Sequence, residues 1–315
     1  MTGERLPIEV SRLTKRFGAV TAVRDISFTV EPGRVTGFLG PNGAGKTTTM
    51  RMVTGLVAPT SGHATIGGRP YARLNRPSST VGALFDATAV HPGHTARDHL
   101  GVYAAMGGHP ARRVTEMLDR LGLTAAANRR VGGFSTGMRQ RLNLATALLG
   151  DPRVLLLDEP SNGLDPEGMA WLRSLLRALA ADGRTVLVSS HVLSEVEQLA
   201  DDVVVIRAGE LVAAGPRSRL AGPPAALVRT PDAAALAAAL ASAGAAGPDT
   251  DDDALRVAVI GVDQLRVYGM PTPRIAEVAA AHRLRIHELG TEAAGLEQLF
   301  LRLTGAATTS GQADA

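Results

Sequence analysis

Through the first two thirds of the chain, short apolar runs alternate with helical spacing and with glycine or proline turns. Val35 to Leu39 reads as a strand stopping at Gly40, and Thr47 to Gly55 reads as the helix that follows. Val154 to Leu157 is apolar at every position, the pattern of a parallel strand buried on both faces. Leu164-Asp165-Pro166 opens a helix, with aspartate as N-cap and proline in the first turn, and Gly183 closes it. Val186 to Val188 is the next buried strand. This alternation predicts an α/β sheet domain.

Gly215-Pro216 and Gly222-Pro223-Pro224 then break the pattern and mark a linker. Beyond it the sequence predicts an alanine-rich helix from Asp232 and an acidic loop (Asp249, Asp251, Asp252, Asp253). A strand at Leu255 to Ile260, a helix through Ile275 to Ala281, a strand at Leu284 to His287 and a helix through Leu296 to Leu303 complete a small α+β domain. The expected partition is an α/β domain over 6–218, a linker over 219–226, the small domain over 227–304 and a disordered tail over 305–315. No internal repeat interrupts this reading.

Composition narrows the picture. At 315 residues, 45% hydrophobic and 20% charged, the chain is ordinary globular protein with room for about two domains. Aromatics make up only 3%, so the core must be built from Leu, Val, Ile and Ala. The absence of cysteine excludes disulfides, thiol catalysis and thiolate metal sites. A net charge of +3 is spread over interleaved acids and bases, so bulk charge decides little about partners; no nucleic-acid partner is expected. No run reaches the roughly 18 apolar residues of a membrane span, and the start lacks the apolar core of a signal peptide. A soluble protein is expected, with any membrane role exerted through a partner. Nearly all the basic residues are arginine; Lys15 and Lys46 are the only lysines.

One of those lysines has a clear place. Gly40-Pro41-Asn42-Gly43-Ala44-Gly45-Lys46-Thr47 fits Gly-x4-Gly-Lys-Thr between a strand and a helix. The glycines let backbone N–H groups turn toward phosphate oxygens, and the helix directs its positive end at the same anion. Lys46 brings a compact charge to the β- and γ-phosphates, and the Thr47 hydroxyl can ligate magnesium. Leu155-Leu156-Leu157-Asp158-Glu159 ends a buried strand in two carboxylates. In a phosphate-loop enzyme the first of such a pair holds magnesium, and the second can orient water and take its proton.

With these residues in place, further motifs follow in series. Phe134-Ser135-Thr136-Gly137-Met138-Arg139-Gln140-Arg141, Asn162-Gly163-Leu164-Asp165 and Ser190-His191 resemble the signature, the D-loop and the switch histidine of the ABC-type ATPases. The resemblance spans about residues 6 to 218. It implies the fold of a RecA-like core with an antiparallel β subdomain and a helical subdomain. Its implied cofactors are ATP and Mg2+. Nucleotide contacts are implied for Phe17 (stacked on adenine), Gly40, Pro41, Asn42, Gly43, Ala44, Gly45, Lys46, Thr47, Thr48, Ser135, Gly137 and Asp165. Glu159 and His191 are the implied catalytic pair, with Thr47, Asp158 and Asp86 on the metal side.

Two departures stand out. Thr136 and Met138 differ from the commonest signature, in a version similar to bacterial exporter ATPases of the antibiotic-resistance type. Asp86, in Val81-Gly82-Ala83-Leu84-Phe85-Asp86, stands where the family usually places glutamine. The segment from His91 to Leu100 resembles the region that receives a transmembrane partner, and its His91, His94 and His99 read as partner-facing surface rather than a metal cluster. The resemblance thus implies a subunit powering export of a drug, antibiotic or lipid-like substrate. It also implies a second copy of the chain, a separate membrane permease and a place on the inner face of the cell membrane. The alternative is a soluble ABC ATPase acting on ribosomes or DNA. A single cassette without coiled-coil or zinc insertions weighs against it, and a plain kinase or GTPase has no use for the signature.

Overall fold

The computed structural model describes residues 5–85, 90–220, 225–244 and 255–292. The chain divides into two compact units, residues 1–220 and 221–315. In the first unit, β1 (Ile8–Phe17) and β2 (Val20–Val30) form a long hairpin, followed by β3 (Val35–Leu39), α1 (Lys46–Val53) and β4 (Ser61–Ile66). Next come α2 (Pro77–Thr80), β5 (Val81–Leu84), α3 (Ala96–Gly107), α4 (Arg112–Arg120) and α5 (Thr136–Leu148). The unit is completed by β6 (Val154–Asp158), α6 (Pro166–Ala181), β7 (Thr185–Ser190), α7 (Leu193–Leu199), β8 (Asp202–Arg207), β9 (Glu210–Pro216) and α8 (Arg217–Leu220).

Six of these strands make one sheet in the order β5-β6-β7-β3-β8-β9. The first five run parallel, and β9 closes the edge antiparallel to β8. The unbroken apolar runs have a simple cause. In a strand, successive side chains point to opposite faces, and here both faces are covered. Leu155, Leu157, Val186 and Val188 enter a core shared with α3 to α6. Val154, Leu156, Leu187 and Phe38 enter a second core with α1 and the β1/β2/β4 layer. That layer is an antiparallel sheet in the order β2-β1-β4. Each fully buried Leu or Val contributes about 1.5–3 kcal/mol, which is how a chain so poor in aromatics holds its core.

Strand order also places the chemistry. β7 lies between β6 and β3, with Asp158 beside Ser189 and Leu39 beside Ser190. The carboxyl ends of three neighbouring strands therefore bring the acidic pair, a serine pair and the phosphate loop to one edge, where ligands of open α/β sheets bind. The expected helix after Asp165 runs as α6: Asp165 Oδ1 accepts the Gly168 amide at 2.8 Å, with Pro166 in the first turn.

The second unit contains β10 (Ala225–Arg229), α9 (Ala233–Gly244), β11 (Arg256–Val259), β12 (Gln264–Tyr268), α10 (Thr272–Ala281) and β13 (Glu288–Glu292). This β-α-β-β-α-β order folds into an antiparallel sheet, β11-β12-β10-β13, the split arrangement of ferredoxin-like domains. Leu236 and Leu240 of the alanine-rich α9 pack with Val228, Leu265, Val267 and Ile275. The strand expected at 284–287 starts instead at Glu288. The Leu284 amide closes α10 on the Ala279 carbonyl at 2.9 Å, and Arg283 takes a left-handed φ of 54°. The chain turns there, so Leu284 and Ile286 are partly buried without joining the ladder. β10 and β12 were not anticipated. The acidic loop and the final helix expected through Leu296 to Leu303 lie outside the described residues.

Candidate functional site

The loop from Gly40 to Gly45 wraps the Lys46 ammonium. Lys46 Nζ donates to the Gly40 carbonyl at 2.6 Å and stands 3.5 Å from Glu159 Oε1, and its side chain is only 6% exposed. Gly45 has φ 105°, and a Cβ there would lie 2.6 Å from the Ala22 carbonyl oxygen, so no other residue fits this turn. α1 starts at Lys46 and points its free N–H groups into the loop. A buried cation and a helix N-terminus thus meet at one glycine-rich loop, an arrangement that suits a phosphate chain.

Opposite the lysine, the acidic pair is held from three directions. Thr47 Oγ1 donates to Asp158 Oδ2 at 2.6 Å, and Ser189 Oγ donates to Asp158 Oδ1. Ser189 Oγ also accepts the Glu159 amide at 2.9 Å. That bond secures Glu159 in a left-handed conformation, φ 48°, which a non-glycine residue adopts at a cost of roughly 1–2 kcal/mol. The left-handed turn directs the Glu159 carboxylate back toward Lys46, and His191 Nδ1 meets Glu159 Oε2 at 2.8 Å. Thr47 and Asp158 offer two hard oxygens side by side, the donors magnesium takes together with phosphate oxygens and water. Among the described residues no three His, Cys, Asp or Glu gather into an all-protein cage.

The signature segment forms a separate face. Ser135 caps α5, its hydroxyl accepting the Met138 amide at 3.2 Å, and the side chain stays exposed. Ser135, Gly137, Gly163 and Asp165 line an open cavity of about 560 Å³ that includes neither Lys46 nor Glu159. The signature face thus stands apart from the phosphate loop and the acidic pair. Gly163, at φ 77°, presses on Thr136: an added Cβ would come within 2.3 Å of Thr136 Cγ2. Gly163→Ala is expected to lose about 1–3 kcal/mol of stability from backbone strain, seen as a lower melting temperature of the full chain.

The remaining expected residues are scattered. Phe17 ends β1 with 51% of its surface exposed, and the other lysine, Lys15, rests its ammonium 4.8 Å over the ring. Pro41, Asn42 and Gly43 are exposed, Ala44 is buried, and Thr48 is half-buried in α1. Asp86 lies outside the described residues. The three histidines do not share one surface. His91 and His94 stack, with ring centroids 4.8 Å apart, whereas His99 is buried and bonds Thr146 Oγ1 at 3.1 Å. Burial holds the His99 imidazole below its usual range. Sequence reasoning gives no role to several polar partners: Gln140 and Ser190, named only within motifs, and Ser161, Ser189 and Glu195. The readable signal was Ser189-Ser190, a polar pair ending an otherwise apolar strand.

The fold and this geometry define a phosphate loop beside an acidic strand end on an α/β sheet, with the signature segment on a separate face. A sequence profile described as "ABC transporter" matches residues 23–162, and one described only as a domain of unknown function matches residues 224–297. The bacitracin transport ATP-binding protein BcrA of Bacillus licheniformis is 41% identical over 208 residues, 65% of this chain and 68% of that protein. The Nod factor export ATP-binding protein I of Burkholderia orbicola is 37% identical over 310 residues, 95% of this chain and 97% of that protein. A solved ATP-binding subunit of an ABC transporter superposes with a TM-score of 0.62 at 27% identity, covering 68% of this chain and 91% of that one. The chain belongs to the ABC transporter ATP-binding proteins. It is an ATP-binding and ATP-hydrolysing subunit of a transporter.

Proposed function

We propose that two copies of this chain sandwich two ATP molecules and, in closing and reopening, drive export through a separate membrane permease. The observation that carries this reading is the division of the site. Lys46, Thr47, Asp158, Glu159 and His191 converge in one half, while Ser135 and Gly137 face outward in the other. A second copy turned about a two-fold axis presents its Ser135 and Gly137 to the first copy's phosphate loop, which makes both sites whole.

In this reading Gly40 to Thr48 hold the phosphates by backbone amides and the Lys46 charge, and Phe17 stacks on adenine. Thr47 and Asp158 would hold magnesium, with Asp86 assigned to the same side, and the ion would neutralise charge on the phosphate oxygens. Glu159 accepts the proton of the attacking water as it adds to the γ-phosphorus and ADP leaves. His191 fixes the direction of the Glu159 carboxylate. Asp165, as cap of α6, holds the D-loop that crosses between the two copies. Export of a drug, antibiotic or lipid-like substrate is supported by relatives named for bacitracin, Nod factor and linearmycin. The place assigned to the chain is the inner membrane face, held there through its permease; among the described residues no helix is long and apolar enough to cross a membrane.

The dimer is tested with Ser135→Arg. ATP added to a hydrolysis-deficient Glu159→Gln chain is expected to double the mass seen by light scattering, and adding Ser135→Arg is expected to keep it monomeric. A chain that stays monomeric at saturating ATP without the arginine contradicts the sandwich.

A further inference from the structure

Glu195 takes no part in the assignments above, yet its carboxylate joins two segments of the site. It sits in the first turn of α7, half-buried. Its Oε2 accepts the hydroxyl of Ser161 at 2.6 Å, in the turn that leaves the acidic strand. The same oxygen accepts the hydroxyl of Ser190 at 3.1 Å, the last residue of β7. Ser190 Oγ in turn accepts the Val192 amide at 3.0 Å. His191 is thus the middle residue of a turn whose two flanks are tied together, and Glu195 orients the hydroxyl that ties them. Met169, Leu172, Val196 and Leu199 wall the pocket beside these groups, which limits competition from water.

The consequence is geometric. Glu159 and Ser161 lie two residues apart on one segment, and Ser190 and His191 are adjacent on the other. A single carboxylate that accepts from both serines fixes the distance between the two segments. That distance is what the 2.8 Å contact between His191 and Glu159 depends on. An ionised carboxylate suits the task because it has acceptor capacity for both hydroxyls at once and donates nothing.

We propose that Glu195 is a positioning residue for ATP hydrolysis, clamping Ser161 to Ser190 so that His191 and Glu159 stay in register. This rests on the reading in which Glu159 takes the water proton and His191 directs it. A residue acting in this way changes turnover and leaves ground-state nucleotide binding alone.

The test uses the full chain and four variants: Glu195→Ala, Glu195→Gln, His191→Ala and the Glu195→Ala/His191→Ala pair. Glu195→Ala is expected to lower kcat about 10-fold with KM for ATP within about 2-fold. Glu195→Gln keeps an oxygen that can accept a hydroxyl and is expected to recover most of the loss. The double variant is expected to be no slower than His191→Ala alone, because residues that act as one unit are not additive. Wild-type turnover in Glu195→Ala, a Gln variant as slow as the Ala variant, or fully multiplicative losses in the pair would each overturn the proposal. If His191→Ala itself keeps full turnover, the underlying assignment of the site fails instead. If Glu195→Ala does not fold, Ser161→Ala and Ser190→Ala each remove one donor. Both are then expected to slow turnover several-fold at unchanged KM, and unchanged kcat in both counts against the clamp.

Discussion

Glu159→Gln is expected to bind ATP and to hydrolyse it at least ~100-fold more slowly than the parent chain, the low end for losing a positioned base. Both Glu159 oxygens are engaged, Oε1 at 3.5 Å from Lys46 Nζ and Oε2 at 2.8 Å from His191 Nδ1. The amide has the same shape and can still accept from the imidazole with its one oxygen, while its NH2 then faces the Lys46 ammonium in place of Oε1. What it cannot do is take a proton at neutral pH. Phosphate release measured beside a nucleotide titration separates the two effects, and equal turnover in variant and parent removes Glu159 from the role of base.

The second large effect is expected at Lys46. Its ammonium is buried against the Gly40 carbonyl, and alanine removes the only lysine of the loop. A hydrogen bond to a charged partner contributes about 1.5–3 kcal/mol. In the proposed site the ammonium serves both the β- and the γ-phosphate, so its loss is expected to lower affinity for ATP at least ~100-fold. Lys46→Arg is expected to fail as well, since a planar guanidinium is broader than an ammonium and the cradle closes on the Nζ at 2.6 Å. Nucleotide titration of both variants, with melting curves to confirm folding, gives the answer. Near-parental affinity in Lys46→Ala would remove the lysine from phosphate binding.

Much of the first unit was legible because burial on both faces leaves a mark that few other arrangements leave. Val154 to Leu157 and Val186 to Val188 are continuous runs, and Gly40 to Thr47 is a spaced motif between recognisable elements. The second unit was less legible. β12 alternates over only five residues, Gln264 to Tyr268, and β10 is a short, weakly apolar run from Ala225 to Val228 just after Gly222-Pro223-Pro224, so neither stands out from its surroundings. The strand at Glu288 was misplaced because Leu284 and Ile286 alternate like a strand while packing as a turn. Within the site, Lys46 could be read from the phosphate-loop motif, Asp158 and Glu159 from the acidic end of a buried strand beside it, and His191 from the family resemblance. Ser161 and Glu195 could not, because their bond joins residues 34 apart whose meeting depends on where α7 lands.

The position of β7 has a consequence for how this enzyme can change. Its ladder with β6 pairs Asp158 with Ser189, and its ladder with β3 pairs Leu39 with Ser190. A slip of one residue would exchange every side chain between faces, burying the serines in one of two apolar cores and lifting Val188 toward the carboxylates. The alignment that keeps the sheet dry is therefore the same alignment that sets the reacting groups. Substitutions that loosen the middle of this sheet are bound to cost turnover and heat resistance together. Variants selected for speed alone must arise at its margins.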